Sequence, residues 1–171
     1  MTNKEASYAQ EHMVAKYMGW KVVSGSGARP FAPGDVIADH FIVECKTHVK
    51  ECSVQFVKKH WDKIEIEARS KTKLPMLITD DGTQHYKHTW VMIPFSVIAN
   101  CTVPSIIDGL DDTSRSGNTV IFNHEAAYSL YKQKQVDGSI SIFLTKWGPE
   151  GKPLAILPLE VFRQFFEEQF N

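Results

Sequence analysis

Apolar and aromatic residues at Tyr8, Met13, Val14, Tyr17 and Met18 fall on one helical stripe, so the spacing predicts a helix from Lys4 to Met18 that Gly19 stops. Trp20 to Val23 reads as a short strand. Between Ser24 and Pro30 glycines and a proline interrupt too densely for regular structure, which makes this stretch a loop. Asp35–Ala38 and Phe41–Thr47 read as two strands turned at Asp39 and His40. Alternation along the second strand puts Ile42, Glu44 and Lys46 on one face and Phe41, Val43 and Cys45 on the other.

From Ser53 to Lys71 the positions Val54, Val57, Trp61, Ile64 and Ala68 recur at helical spacing among lysines, predicting a core helix. Pro75–Thr79 and Thr89–Ile93 are apolar runs of strand length joined by the polar turn Asp80-Asp81-Gly82. The pattern weakens beyond Pro94. It gives a loop over residues 108–118, a helix near His124–Gln133, a strand at Ser139–Thr145 and a strand-to-helix run from Leu154 to Phe170. The C-terminal apolar residues Leu154–Leu157, Val161, Phe162, Phe165, Phe166 and Phe170 can supply core and interface together. The fold class is α/β, a mixed sheet with helices against it.

With 171 residues, 43% of them hydrophobic and 23% charged, the chain suits one well-buried core and carries no disordered tract. Its net charge of −1 hides an asymmetry: residues 1–73 hold 12 Lys and Arg against 9 Asp and Glu, residues 74–171 hold 7 against 11. A basic N-terminal half suits phosphate binding. Three irregularly placed cysteines, Cys45, Cys52 and Cys101, match no zinc spacing and read as reduced thiols. With neither a signal-peptide pattern nor a membrane-length apolar run, the expectation is a soluble cytoplasmic protein without a membrane partner or an organic cofactor.

Asp35, Glu44 and Lys46 carry the candidate chemistry. The two carboxylates lie on adjoining hairpin strands, so nine residues of separation become adjacency in space. Such a pair repels itself unless a cation intervenes. Mg²⁺ prefers one or two carboxylates completed by water and phosphate, and it makes water nucleophilic while offsetting charge on phosphate oxygens. Lys46, on the face of Glu44, reaches the same phosphate or water. Read alone, a Glu-x-Lys in a strand is a solvent-facing pair and Asp35 a turn residue. The apolar run around them requires another reason for buried charge.

An early helical Glu, then Gly19-Trp20-Lys21-Val22-Val23, Ser24-Gly25-Ser26-Gly27-Ala28, Gly34-Asp35-Val36 and Glu44-Cys45-Lys46, together resemble the PD-(D/E)XK nucleases. Within them the order is similar to the Holliday-junction resolvases of archaea and their phage-encoded relatives. The resemblance covers about residues 5–95. It implies a restriction-endonuclease-like αβββαβ core over residues 1–95 of a single nuclease domain, with residues 96–171 as a C-terminal α/β elaboration. It implies that Glu11, Asp35, Glu44 and the main-chain carbonyl of Cys45 hold Mg²⁺, with Mn²⁺ able to substitute, and that Lys46 is the catalytic lysine. Glu5, in the same helix as Glu11, is the other acid that can face the site. The motif departs from the family name in having Gly34 before Asp35, with Pro33 one residue further back.

The activity so implied is a structure-selective DNA endonuclease acting on four-way junctions as a homodimer, in the host cytoplasm if phage-encoded. Ser24, Ser26 and Arg29 in the loop, His48 and Lys50 after the second hairpin strand, and Lys58, Lys59 and Lys63 on the following helix are the candidate DNA contacts. For the lysines a solvated helix face is the competing reading, and Trp61 reads as core. His60 also flanks the site. A restriction-like or repair endonuclease, and an inactive DNA-binding protein on the same scaffold, are the alternative functions. No His-Glu-x-x-His pattern points to zinc hydrolysis.

Overall fold

The computed structural model describes residues 3–23, 34–50, 52–102, 104–107, 117–134 and 140–170. Helix α1 (Asn3–Met18) ends where Gly19 adopts φ +72°, the left-handed conformation that a glycine takes without Cβ strain. Strands β1 (Lys21–Val22), β2 (Val36–Ile37) and β3 (Phe41–Thr47) follow, with β2 and β3 paired antiparallel through Val36 opposite Val43. The chain continues through β4 (Ser53–Val57), α2 (Lys58–Ser70), β5 (Leu74–Asp80), β6 (Trp90–Pro94) and α3 (Phe95–Ala99). The C-terminal part adds β7 (Ser105–Ile106), β8 (Thr119–Asn123), α4 (His124–Lys134), β9 (Ser141–Thr145), β10 (Leu154–Pro158) and α5 (Leu159–Phe170).

Eight strands form a mixed sheet in the order β1-β2-β3-β5-β6-β10-β9-β7. The β3–β5 pair is parallel and needs a crossover, which β4 and α2 supply. Alternation along the strands separates two apolar faces. Phe41, Val43, Cys45, Met76, Ile78, Val91 and Ile93 pack with α1 and with Phe162, Phe165 and Phe166 of α5. Ile42, Leu77, Trp90, Met92 and Ile156 pack with Trp61, Ile64 and Ala68 of α2. Glu44 and Lys46 therefore emerge on the α2 side, as the alternation predicts.

The expected helix over Ser53–Lys71 needs correction at its start. Ser53–Val57 is strand β4, paired antiparallel with β8, Val54 opposite Phe122 and Phe56 opposite Val120. Val54 and Phe56 are both fully buried, so alternation and a partner strand override a helical spacing that the sequence also satisfies. Strands β7 and β8 and the short helix α3 add to the elements expected after Pro94. The C-terminal apolar run is buried: β10 lies between β6 and β9, and Leu154–Leu157 and Phe162 are at most 1% exposed. No described helix is long and apolar enough to cross a membrane.

Candidate active site

Strand β2 is two residues long, and one position before it the backbone N–H of Asp35 donates to the Val43 carbonyl at 2.7 Å. The Asp35 side chain then takes over the ladder: its Oδ2 accepts the Cys45 N–H at 2.8 Å. The carboxylate is thereby fixed against β3, one residue from Glu44. Gly34 makes the approach possible, since with φ +69° it lies close against Ile42 and Val43, where a side chain has no room. Its N–H donates to Glu67 Oε2 of α2 at 2.9 Å, which ties the Asp35 segment to that helix.

Glu44 is 2% exposed and meets two ammonium groups. Lys46 Nζ lies 2.6 Å from Oε1, and Lys63 Nζ lies 2.8 Å from Oε2. Burial pushes the Glu44 carboxyl up, but the two lysines outweigh burial and hold it below its ordinary range. Lys46 Nζ is also 3.1 Å from the Cys45 carbonyl oxygen and 3.8 Å from Asp35 Oδ2. Two carboxylates and a main-chain oxygen thus converge on one cationic centre.

Glu11 belongs to this group electrostatically. Burial, then the Asp35 charge, raise its carboxyl to about 7, against the pull of Lys46. Its neighbour Gln10, fully buried, donates to the Lys46 carbonyl at 3.1 Å and accepts from Thr47 Oγ1 at 3.0 Å, clamping α1 onto the end of β3. Gln10 and Glu67 were not among the expected site residues. A glutamine inside a helical stripe carries no sequence signal of its own, whereas Glu67 stands four residues after Lys63, a visible helical pair.

The candidate DNA contacts divide. Ser24, Ser26 and Arg29 lie outside the described residues. Lys63 is half-exposed and committed to Glu44 and, at 3.6 Å, to Glu67 Oε1. Lys58 pairs with Asp62 at 2.6 Å, while Lys59 and Lys50 are exposed. His48 is half-buried, and burial followed by Lys50 holds its imidazole below its ordinary range. His60 is held low by burial and then by Lys46 and Lys59, which sets it beside the lysines of the site. Trp61 is fully buried, as the core reading expected.

A hard divalent cation fits this donor set. Among the described residues no three His, Cys, Asp or Glu side chains gather closely enough to hold a metal by themselves. The set here is instead Asp35, Glu44 and the Cys45 carbonyl, all oxygen donors around a seat that a lysine ammonium already finds favourable. In general Mg²⁺ binds through one or two carboxylates completed by water and phosphate oxygens, a requirement that Asp35 and Glu44 would meet. Compared with family models, curated proteins and solved structures, the chain has no match in any of the three.

Proposed function

We propose that the chain is a metal-dependent endodeoxyribonuclease of the PD-(D/E)XK kind, acting on branched four-way DNA as a homodimer. The observation that carries the reading is the convergence of Asp35 Oδ2, Glu44 Oε1 and the Cys45 carbonyl on one cation seat, which the Lys46 ammonium fills. The order α1-β1-β2-β3-α2-β5, with β4 inserted, supports it by following the αβββαβ sequence of the restriction-endonuclease-like core.

Asp35, Glu44 and the Cys45 carbonyl would hold Mg²⁺ or Mn²⁺, which when bound supplies Lewis acidity and a water that ionises near neutral pH. The Cys45 N–H orients Asp35, so this carboxylate enters the reaction without reorganising. Glu11, whose carboxyl is raised to about 7, adds negative charge toward the seat as it ionises, which a dication would favour. Lys46, 37% exposed, can swing from Glu44 toward a phosphate oxygen and stabilise the charge that grows there during attack. Gln10 fixes the backbone from which Lys46 swings.

The test is a panel of four-way, flap, nicked and plain duplex DNA with Mg²⁺, Mn²⁺, Ca²⁺ or chelator. Paired incisions in four-way DNA with Mg²⁺ or Mn²⁺, none with Ca²⁺ or chelator, and a dimer by light scattering are expected. Cutting in chelator would remove the metal reading. Preference for flap or duplex DNA would favour a repair or restriction-like enzyme, and salt-sensitive binding without cleavage an inactive DNA-binding protein.

A further inference from the structure

Lys63 stands between two carboxylates on opposite sides of a seam. Its Nζ is 2.8 Å from Glu44 Oε2, on β3, and 3.6 Å from Glu67 Oε1, one helical turn further along α2. Its side chain is 52% exposed and free to pivot, while Glu44 is buried and fixed. The other oxygen of Glu67 is tied to the Gly34 N–H, so this second acceptor is held in place next to the segment that carries Asp35.

The charges make the arrangement conditional. With Lys46 on Oε1 and Lys63 on Oε2, Glu44 is neutralised twice over. A dication seated between Asp35 and Glu44 would repel both ammonium groups, which lie within 2.8 Å of the buried Glu44 carboxylate. Lys46, 37% exposed, has solvent to turn to. Lys63 has Glu67, which it reaches by a small pivot.

We infer that Lys63 is a positioning residue that is handed from Glu44 to Glu67 as the metal enters, so that Glu67 sets how readily the site loads. The inference rests on the nuclease reading for the identity of the seat. It adds a pair of residues that the motif does not contain, and it makes metal affinity depend on a helix pair rather than on the ligands alone. Before loading, Lys63 keeps the buried Glu44 paired. After loading, its ammonium sits on Glu67 at the edge of the seat.

The experiment measures Mn²⁺ affinity without DNA, by electron paramagnetic resonance of the free ion, for wild type, Lys63→Gln, Lys63→Arg, Glu67→Gln and the Lys63→Gln/Glu67→Gln double variant. Circular dichroism and melting confirm that each is folded. Lys63→Gln should bind Mn²⁺ about tenfold tighter, because one competing cation is gone. Lys63→Arg should return affinity to within about threefold of wild type. Glu67→Gln should weaken binding about tenfold in the wild-type background and by less than about threefold when Lys63 is already Gln. That loss of coupling separates a handoff from simple removal of a negative charge. Equal weakening in both backgrounds, unchanged or weaker binding in Lys63→Gln, or no Mn²⁺ binding by wild type overturns the inference. If the coupling is found but no DNA of the panel is cut, the inference stands and the nuclease reading falls. Metal-dependent cutting without the coupling overturns the inference and leaves the nuclease reading in place.

Discussion

Replacing Gly34 by Ala places a methyl group where the structure has no room, at the position that delivers Asp35 to the site. A Cβ built there lies 2.7 Å from Ile42 Cγ2, 2.8 Å from the Val43 carbonyl oxygen and 3.3 Å from the Val43 nitrogen. The Val43 oxygen cannot yield, because it accepts the Asp35 N–H and belongs to the central strand β3. The φ of +69° adds a left-handed penalty of about 1–2 kcal/mol for a residue with a Cβ, and overpacking adds about 1–3 kcal/mol. The sum, about 2–5 kcal/mol, lowers the melting temperature of a chain this size by about 4–20 °C. Gly19 supplies the control, since its φ is +72° but nothing lies within 4 Å of its Cβ position. Gly19→Ala should therefore show the backbone penalty alone. Calorimetry on the two variants isolates the steric part, and cleavage assayed well below both melts should show an Asp35 displaced enough to cost up to about 100-fold in turnover. Gly34→Ala melting no lower than Gly19→Ala would refute the packing around Asp35.

Glu44→Gln should abolish turnover and also destabilise the protein at neutral pH, although a crowded carboxylate pair taken alone implies relief of repulsion. Lys46 and Lys63 reverse that sign by holding the carboxyl below its ordinary value of 4.5, so its contribution is present above that pH and is lost as pH falls through the lower folded value. Melting of wild type and variant should converge toward acid, and a gap that widens there would contradict the pairing. Glu11→Gln should act oppositely. A carboxyl raised from 4.5 to about 7 favours folding only while protonated, so the variant's advantage should grow from pH 4.5 to 7 and level off at about 1–2 kcal/mol after discounting for solvent screening. A pH-independent difference in melting would mean that neither burial nor the Asp35 charge acts on Glu11. Lys46→Ala should lose most turnover yet keep DNA affinity within about tenfold, as one phosphate contact in a multi-contact interface is worth about 1.4 kcal/mol or less. A large binding loss at unchanged turnover, read by single-turnover cleavage and filter binding, would make Lys46 a docking residue instead.

The elements that position the site could be read because their signals are local. Alternation along Phe41–Thr47 assigned Glu44 and Lys46 to one face, and the structure puts Cys45 in one core cluster and Ile42 in the other. The stop at Gly19, the turn at Asp39-His40 and the strand-to-helix run at Leu154–Phe170 are equally local. Ser53–Val57 was not legible, because Val54, Val57 and Trp61 satisfy a helical period while Val54 and Phe56 satisfy a strand period. What decides between them is β8, remote in sequence, whose Val120 and Phe122 receive that strand in register. No window around residue 54 contains this information.

Lys63 and Glu67 show the same limit in the site itself. In sequence they are a helical pair four residues apart, a pattern that on most helices contributes a few tenths of a kcal/mol at the surface. Only the crossover from β3 to β5 turns that surface toward the sheet, setting Lys63 Nζ against a carboxylate that is 2% exposed. Burial of Glu44 follows from its place on a central strand, and from burial follows the need for cationic partners. The Glu-x-Lys spacing supplies one partner by alternation within β3, whereas the second depends on how α2 crosses the strand. A motif defined along the chain therefore names Lys46 and passes over Lys63, although both lie within 2.8 Å of the same carboxylate.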